Sequence, residues 1–88
     1  MIRKHIIFSG WVQGVGFRYR LRYASDLYGV TGWVKNNFDG TVEAEMQGKE
    51  KDIDSAIMTV EKGTYIKIEN LWANEIPLIE NEHGFYIK

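Results

Sequence analysis

The sequence predicts an α+β fold in which an antiparallel sheet carries two helices on one face. Three observations lead there. Two stretches repeat apolar residues at helical spacing and each stops at a glycine, Gly29 or Gly63. The segments around them cluster or alternate apolar residues as strands do, and the pieces interleave as strand, helix, strand, strand, helix, strand. No repeat, linker or low-complexity tract divides the 88 residues, so the expectation is one domain spanning residues 1–88 around one two-layered core.

Taken in order, Arg3 to Trp11 carries the cluster Ile6, Ile7 and Phe8 and reads as a central strand, β1. Gln13 to Gly16 is a glycine-containing loop. From Phe17 to Tyr28 the residues Phe17, Leu21, Ala24 and Tyr28 share one stripe, and Gly29 is placed to supply a left-handed cap; this is helix α1. Val30 to Asn36 (β2) and Thr41 to Gln47 (β3) flank the turn-prone Asn37-Phe38-Asp39-Gly40 and form a hairpin. Glu50 to Lys62 repeats the helical logic through Ile53, Ala56, Ile57 and Val60 (α2), Tyr65 to Ala73 gives β4, and Phe85 to Lys88 adds a short edge strand. The only proline, Pro77, lies in a late loop. The order βαββαβ is the split βαβ plan of a ferredoxin-like sandwich.

That plan has a geometric consequence. A βαβ crossover makes β1 and β2 run in the same direction, so their C-terminal ends share one edge of the sheet, and α1 begins at that edge too. The Gly14 loop, Arg18 and Asn36 become neighbours. Residues 12 to 18 read Val-Gln-Gly-Val-Gly-Phe-Arg. Gly14 and Gly16 allow successive N–H groups to converge, a helix N-terminus adds partial positive charge, and Arg18 adds a fork matched to two phosphoryl oxygens. The loop Gln13, Gly14, Val15, Gly16, Phe17 and Arg18 is therefore a candidate phosphate cradle. The same spacing also fits a tight βα turn followed by a solvated arginine, and it is neither a Walker loop nor a dinucleotide fingerprint. Arg20 and Arg22 read as solvated helix charges. Asn36 is placed to accept a hydrogen bond from a water and hold it toward a bound phosphorus, whereas Asn37 and Asp39 read as turn caps.

Composition narrows the chemistry. The chain has no cysteine, which excludes disulfides, thiol nucleophiles and thiolate metal sites, and it shows neither a signal peptide nor an apolar run long enough to span a bilayer. The expectation is a soluble, cytoplasmic monomer that needs no metal or other cofactor and has no membrane partner. Eleven basic residues against twelve acidic ones give a formal charge of −1, so any anion site must be local. His5 and His83 both fall outside the cradle, and Glu43 and Glu45 alternate with Val42, Ala44 and Met46 on the non-core face of β3.

Two long motifs then agree together. Gly10-x-Val12-Gln13-Gly14-Val15-x-Phe17-Arg18, followed by Gly32-Trp33-Val34-x-Asn36-x-x-Asp39-Gly40-Thr41-Val42-Glu43, resembles the acylphosphatase family, and Ala24, Leu27, Gly29, Gly48, Gly63 and Phe85 to Ile87 extend the resemblance over essentially the whole chain. It implies metal-free hydrolysis of the carboxyl-phosphate bond of a small acyl phosphate, with Arg18 binding phosphate and Asn36 orienting water; inorganic phosphate or another anion would also occupy the loop. A carboxylate leaves without a general acid, since its conjugate acid has a pKa of about 4.3 when it resembles glutamic acid. Two positions depart from the family: Gly63-Thr64 replaces a common Gly-Pro pair, and Trp11 stands where a basic residue is common. Trp11 either packs as a strand residue, or it lowers the local positive charge or favours an apolar acyl group.

Two rivals share the topology. An RNA platform would need stacking aromatics on the central strands, but β3 offers Thr41, Glu43 and Glu45, so no nucleic-acid partner is expected. A phosphate- or carbamoyl-phosphate-binding module inside a larger protein is the other, and binding without turnover would distinguish it.

Overall fold

The computed structural model describes residues 1–88. In chain order the elements are β1 (Ile2–Trp11), α1 (Phe17–Leu27), β2 (Thr31–Asn36), β3 (Val42–Gly48), α2 (Glu50–Glu61), β4 (Lys67–Ile76) and β5 (Phe85–Ile87). The strands make one sheet in the order β4-β1-β3-β2-β5. β1 lies antiparallel between β3, with Phe8 opposite Val42, and β4, with Ile7 opposite Trp72; β2 is antiparallel to β3, with Asn36 opposite Val42. β1 and β2 therefore point the same way, as the crossover requires.

Alternation sorts the strands into two faces. Ile6, Phe8, Val34, Val42, Ala44 and Met46 are buried and join Leu21 and Ala24 of α1 with Ile53, Ala56 and Val60 of α2 in one core cluster, so both helices cover the same face. The rings of Phe8 and Phe17 sit 4.9 Å apart at 58°, a tilted pair that pins the start of α1 to the central strand. α1 ends as the sequence predicts: Gly29 has φ 70°, its N–H donates to Asp26 O and the N–H of Val30 donates to Ser25 O, the paired bonds of a Schellman cap.

The sheet differs from expectation at one edge. Its four main strands are antiparallel, but β5 pairs with β2 in parallel, Trp33 opposite Tyr86, so the sheet is mixed. The cause is the segment from Pro77 to Gly84. Instead of turning back beside β4, it crosses the face opposite the helices and enters the far edge from the same end as β2. Three side chains hold it there. Gln47 donates from Nε2 to Ile79 O and accepts from Ile79 N, both at 2.9 Å. Arg3, only 1% exposed, donates to both carboxylate oxygens of Glu82 at 2.7 and 3.1 Å, to Glu45 at 2.8 Å and to Gln47 at 3.2 Å. Thr31 Oγ1 adds a 2.7 Å bond to Glu82. Burial works against the charge on Arg3, but its bonds to Glu82 and Glu45 outweigh that and its pKa rises. β4 also begins two residues later than predicted, at Lys67, and runs on to Ile76.

Candidate active site

The edge at which β1 and β2 end collects the predicted site. Val12 and Phe17, each 1% exposed, anchor the two ends of the loop in the core, and the backbone between them bulges into solvent. Gly14 and Gly16 take φ of 73° and 80°, conformations that L side chains rarely adopt, and no atom lies within 4 Å of where a Cβ on either would stand. The space over the loop is open to a ligand. Only the backbone N–H of Phe17 is left for a ligand, because its ring is in the core.

Helix α1 starts without a side-chain cap: Gly16 is the N-cap residue, and no acid occupies the first turn. Helix α2, by contrast, has Glu50 and Asp52 in its first turn. The amides at the start of α1 are thus free to meet an anion, and no carboxylate of the same turn competes for the helix field. Arg18, second in the helix and half-buried, takes part in no ion pair and no side-chain hydrogen bond. Its charge is uncommitted.

Gln13 does something sequence reasoning did not find. Its Nε2 donates to Asn37 O at 2.7 Å and to Thr41 O at 2.8 Å, clamping the loop to the β2–β3 hairpin. The side chain is a brace between the two halves of the edge, and only its backbone remains for a ligand. The hairpin is itself stiff. Asn37 donates to Thr41 Oγ1, while Asp39 accepts from both the N–H and the hydroxyl of Thr41, bonds that hold the Asp39 carboxyl below its ordinary pKa. Asp39 is the turn cap expected of it, whereas Asn37 stiffens the hairpin through side-chain bonds to Thr41 and Glu43 rather than by capping the backbone.

Asn36 closes β2 opposite Val42 and so shares the helix-covered face. Its Oδ1 is buried and meets no donor from the protein. Most buried acceptors are satisfied, so an orphan at this edge marks a group waiting for a partner. His5 lies on the other face, its Nε2 2.6 Å from Glu43 Oε2; that hydrogen bond, with help from Asn37 and Lys35, lowers the Glu43 pKa. His83 is exposed. Neither histidine faces the cradle, and no three His, Asp or Glu side chains converge at metal-ligating spacing.

The broadest hollow lies elsewhere, beneath the crossing segment between Gly29, Thr31, Leu78 and Glu82, and a smaller one lies between α2 and β4. A phosphoryl group does not need such depth, because converging amides and one arginine grip it at a surface.

Fold and edge together define a small α+β protein with an open glycine loop, an uncapped helix N-terminus and an unpaired arginine at one sheet edge. The acylphosphatase family model matches residues 4–87. An acylphosphatase of Geobacillus kaustophilus is 52% identical over 88 residues, covering 99% of this chain and 94% of its own length. The crystal structure of acylphosphatase from Bacillus subtilis matches with a TM-score of 0.89 at 37% identity, covering 100% of this chain and 99% of that one. The T. kodakarensis HypF structure matches with a TM-score of 0.83 at 31% identity, over 100% of this chain but 12% of that one. The chain belongs to the acylphosphatase family, a family of hydrolases.

Proposed function

We propose that this protein hydrolyses acyl phosphates to a carboxylate and inorganic phosphate without a metal, with Arg18 and the Gly14–Phe17 amides binding the phosphoryl group and Asn36 positioning the water. The observation that carries the reading is the buried, unpartnered Asn36 Oδ1 at the same edge as an uncapped helix N-terminus and an unpaired arginine. A water donating to that oxygen has its own oxygen free to attack phosphorus. As the new P–O bond forms, the bond to the acyl oxygen breaks, the carboxylate takes the electron pair, and the water proton passes to a phosphate oxygen or to solvent. Charge spread over the equatorial phosphoryl oxygens is met by Arg18 and the loop amides, which are already oriented. The Gln13 brace keeps the two halves in register.

We read the protein as a cytoplasmic monomer with no membrane or nucleic-acid partner; no helix is long and apolar enough to cross a membrane. One second reading is a phosphate-binding module without turnover; the HypF match, which spans 12% of that chain, shows this fold carried inside a larger protein. Hydrolysis of a chromophoric aroyl phosphate in excess chelator, beside Arg18→Gln, decides between them. The expected result is chelator-insensitive turnover that Arg18→Gln lowers by about 10² or more, with a raised KM. Phosphate binding without turnover would establish the module instead.

A further inference from the structure

On the sheet face opposite the helices, behind Asn36, a set of polar contacts converges on Glu43. The ladder places Glu43 directly across from Lys35 of β2 and from Ile7 of β1. Three groups meet its carboxylate. His5 reaches diagonally from β1, with Nε2 2.6 Å from Oε2; Lys35 Nζ lies 3.9 Å from Oε1; and the Asn37 side chain donates to the same carboxylate. The pairing with His5 is selective. Glu45, which stands directly opposite His5, is already bound by Arg3 at 2.8 Å, so His5 turns to Glu43. Both side chains are largely shielded, at 31% and 22% exposed, which strengthens a hydrogen bond to a charged group.

What these contacts hold is the backbone on either side of Asn36. Lys35 and Asn37 are its two chain neighbours, and alternation along β2 turns both away from the core while Asn36 turns toward it. Asn37 N also donates to Thr41 O at 2.8 Å, closing the ladder just beyond Asn36. The Asn36 carboxamide has no side-chain bond of its own to the protein, so its direction depends on how firmly its backbone is fixed. A group that must aim a water at phosphorus tolerates little drift, since a misplacement of about 1 Å can cost about 10²-fold in rate. His5 completes the brace from the far side. It ties the Glu43 carboxylate to β1, the strand that leads into the cradle, so β1 and β2 are linked across β3 on this face as Gln13 links them at the loop.

Building on the acyl phosphate reading above, we infer that Glu43, held by His5, is a positioning residue for hydrolysis: it fixes Lys35 and Asn37 and through them aims the Asn36 carboxamide at the attacking water. It does so from the opposite face of the sheet and touches no substrate.

The test measures kcat and KM on an aroyl phosphate, and Kd for inorganic phosphate, in wild type, Glu43→Ala, Glu43→Gln, His5→Leu and His5→Gln. Glu43→Ala should lower kcat by about 5- to 20-fold with KM and the phosphate Kd within about twofold of wild type. Glu43→Gln keeps an acceptor for Asn37 and should recover most of that loss. His5→Leu should lose about 2- to 5-fold in kcat, recovered by His5→Gln, whose amide can still donate. Added to Asn36→Leu, either Glu43→Ala or His5→Leu should cost less than about twofold more, because the route runs through Asn36. If Glu43→Ala does not fold, His5→Leu, which leaves the carboxylate in place, carries the same comparisons. An undiminished kcat, or a full further loss in the Asn36→Leu background, overturns the inference. The Asn36 side-chain amide signals in a nitrogen–proton correlation spectrum, identified by their loss in Asn36→Leu, report the brace without turnover. They should shift or broaden in Glu43→Ala while the backbone amides of the cradle stay in place, and unmoved signals also overturn the inference. A protein that shows this change but hydrolyses nothing refutes the hydrolase reading while leaving Glu43 as the group that directs Asn36.

Discussion

Replacing Asn36 by leucine separates a working carboxamide from a structural one. Asn36 makes no side-chain hydrogen bond to the protein, and a water donating to its Oδ1 spares the fold the desolvation cost of that acceptor, which is otherwise about 1–3 kcal/mol. Leucine has nearly the same shape, removes the acceptor and stays on the face that Asn36 shares with Val42. Asn36→Leu should therefore change stability by less than about 1 kcal/mol, which for a domain of this size keeps Tm within about 4–8 °C of wild type. That is small against a total stability that, at about 0.05–0.15 kcal/mol per residue, is about 4–13 kcal/mol. Catalysis should suffer far more. Loss of one positioning group lowers kcat by about 10²- to 10³-fold, and because Arg18 and the loop amides remain, KM should change little. Thermal unfolding followed by circular dichroism, with initial rates on an aroyl phosphate, measures both. A destabilised Asn36→Leu would show that the carboxamide holds the fold together, and a stable variant with undiminished kcat would remove Asn36 from the mechanism.

The buried network under the crossing segment makes two further predictions. Burial pushes the Glu82 carboxyl up, but the hydrogen bonds from Arg3 and Thr31 outweigh it and the pKa falls below its ordinary 4.5. A carboxylate whose folded pKa is depressed stabilises fully above its unfolded value and loses that contribution as pH falls through the folded one, so stability should drop below pH 4.5. Glu82→Gln should be less stable at pH 7 yet decline less steeply between about pH 5 and pH 3 in urea melts, with Glu43 supplying part of the slope that remains. Arg3→Ala leaves Glu82 and Glu45 facing each other without their cation and should cost about 3–5 kcal/mol at neutral pH, measured as a fall in the urea midpoint. An Arg3→Ala protein as stable as wild type would show that the network contributes nothing.

What could be read from the sequence was what is local in it. The cradle is six consecutive residues, and both helices announce themselves by stripes such as Leu21-Ala24 and Ile53-Ala56-Ile57-Val60, with glycines just past their ends. Strand β4 was harder. It is an edge strand with nearly every residue exposed, so burial imposes no alternation from which to read its ends. The direction of β5 depends on Gln47 gripping Ile79 and Arg3 gripping Glu82, contacts across 32 and 79 residues that leave no local trace. Gln13 looked like a loop residue among others because its two acceptors lie on a hairpin 24 and 28 residues away.

The placement of β1 also governs how the molecule comes into being. The first strand made is the middle strand of the main antiparallel ladder, and Ile2–Phe8 must wait for Val42–Gly48 on one side and for residues up to Ile76 on the other. Neither partner can be reached by a tight turn, so two large loops must close before the ladder returns any free energy. Folding should therefore be limited by the search for distant partners, on the millisecond-to-second scale of high-contact-order domains. On the ribosome, at about 5–20 residues per second, Ile6 and Phe8 would stay exposed for seconds until the last strands are made.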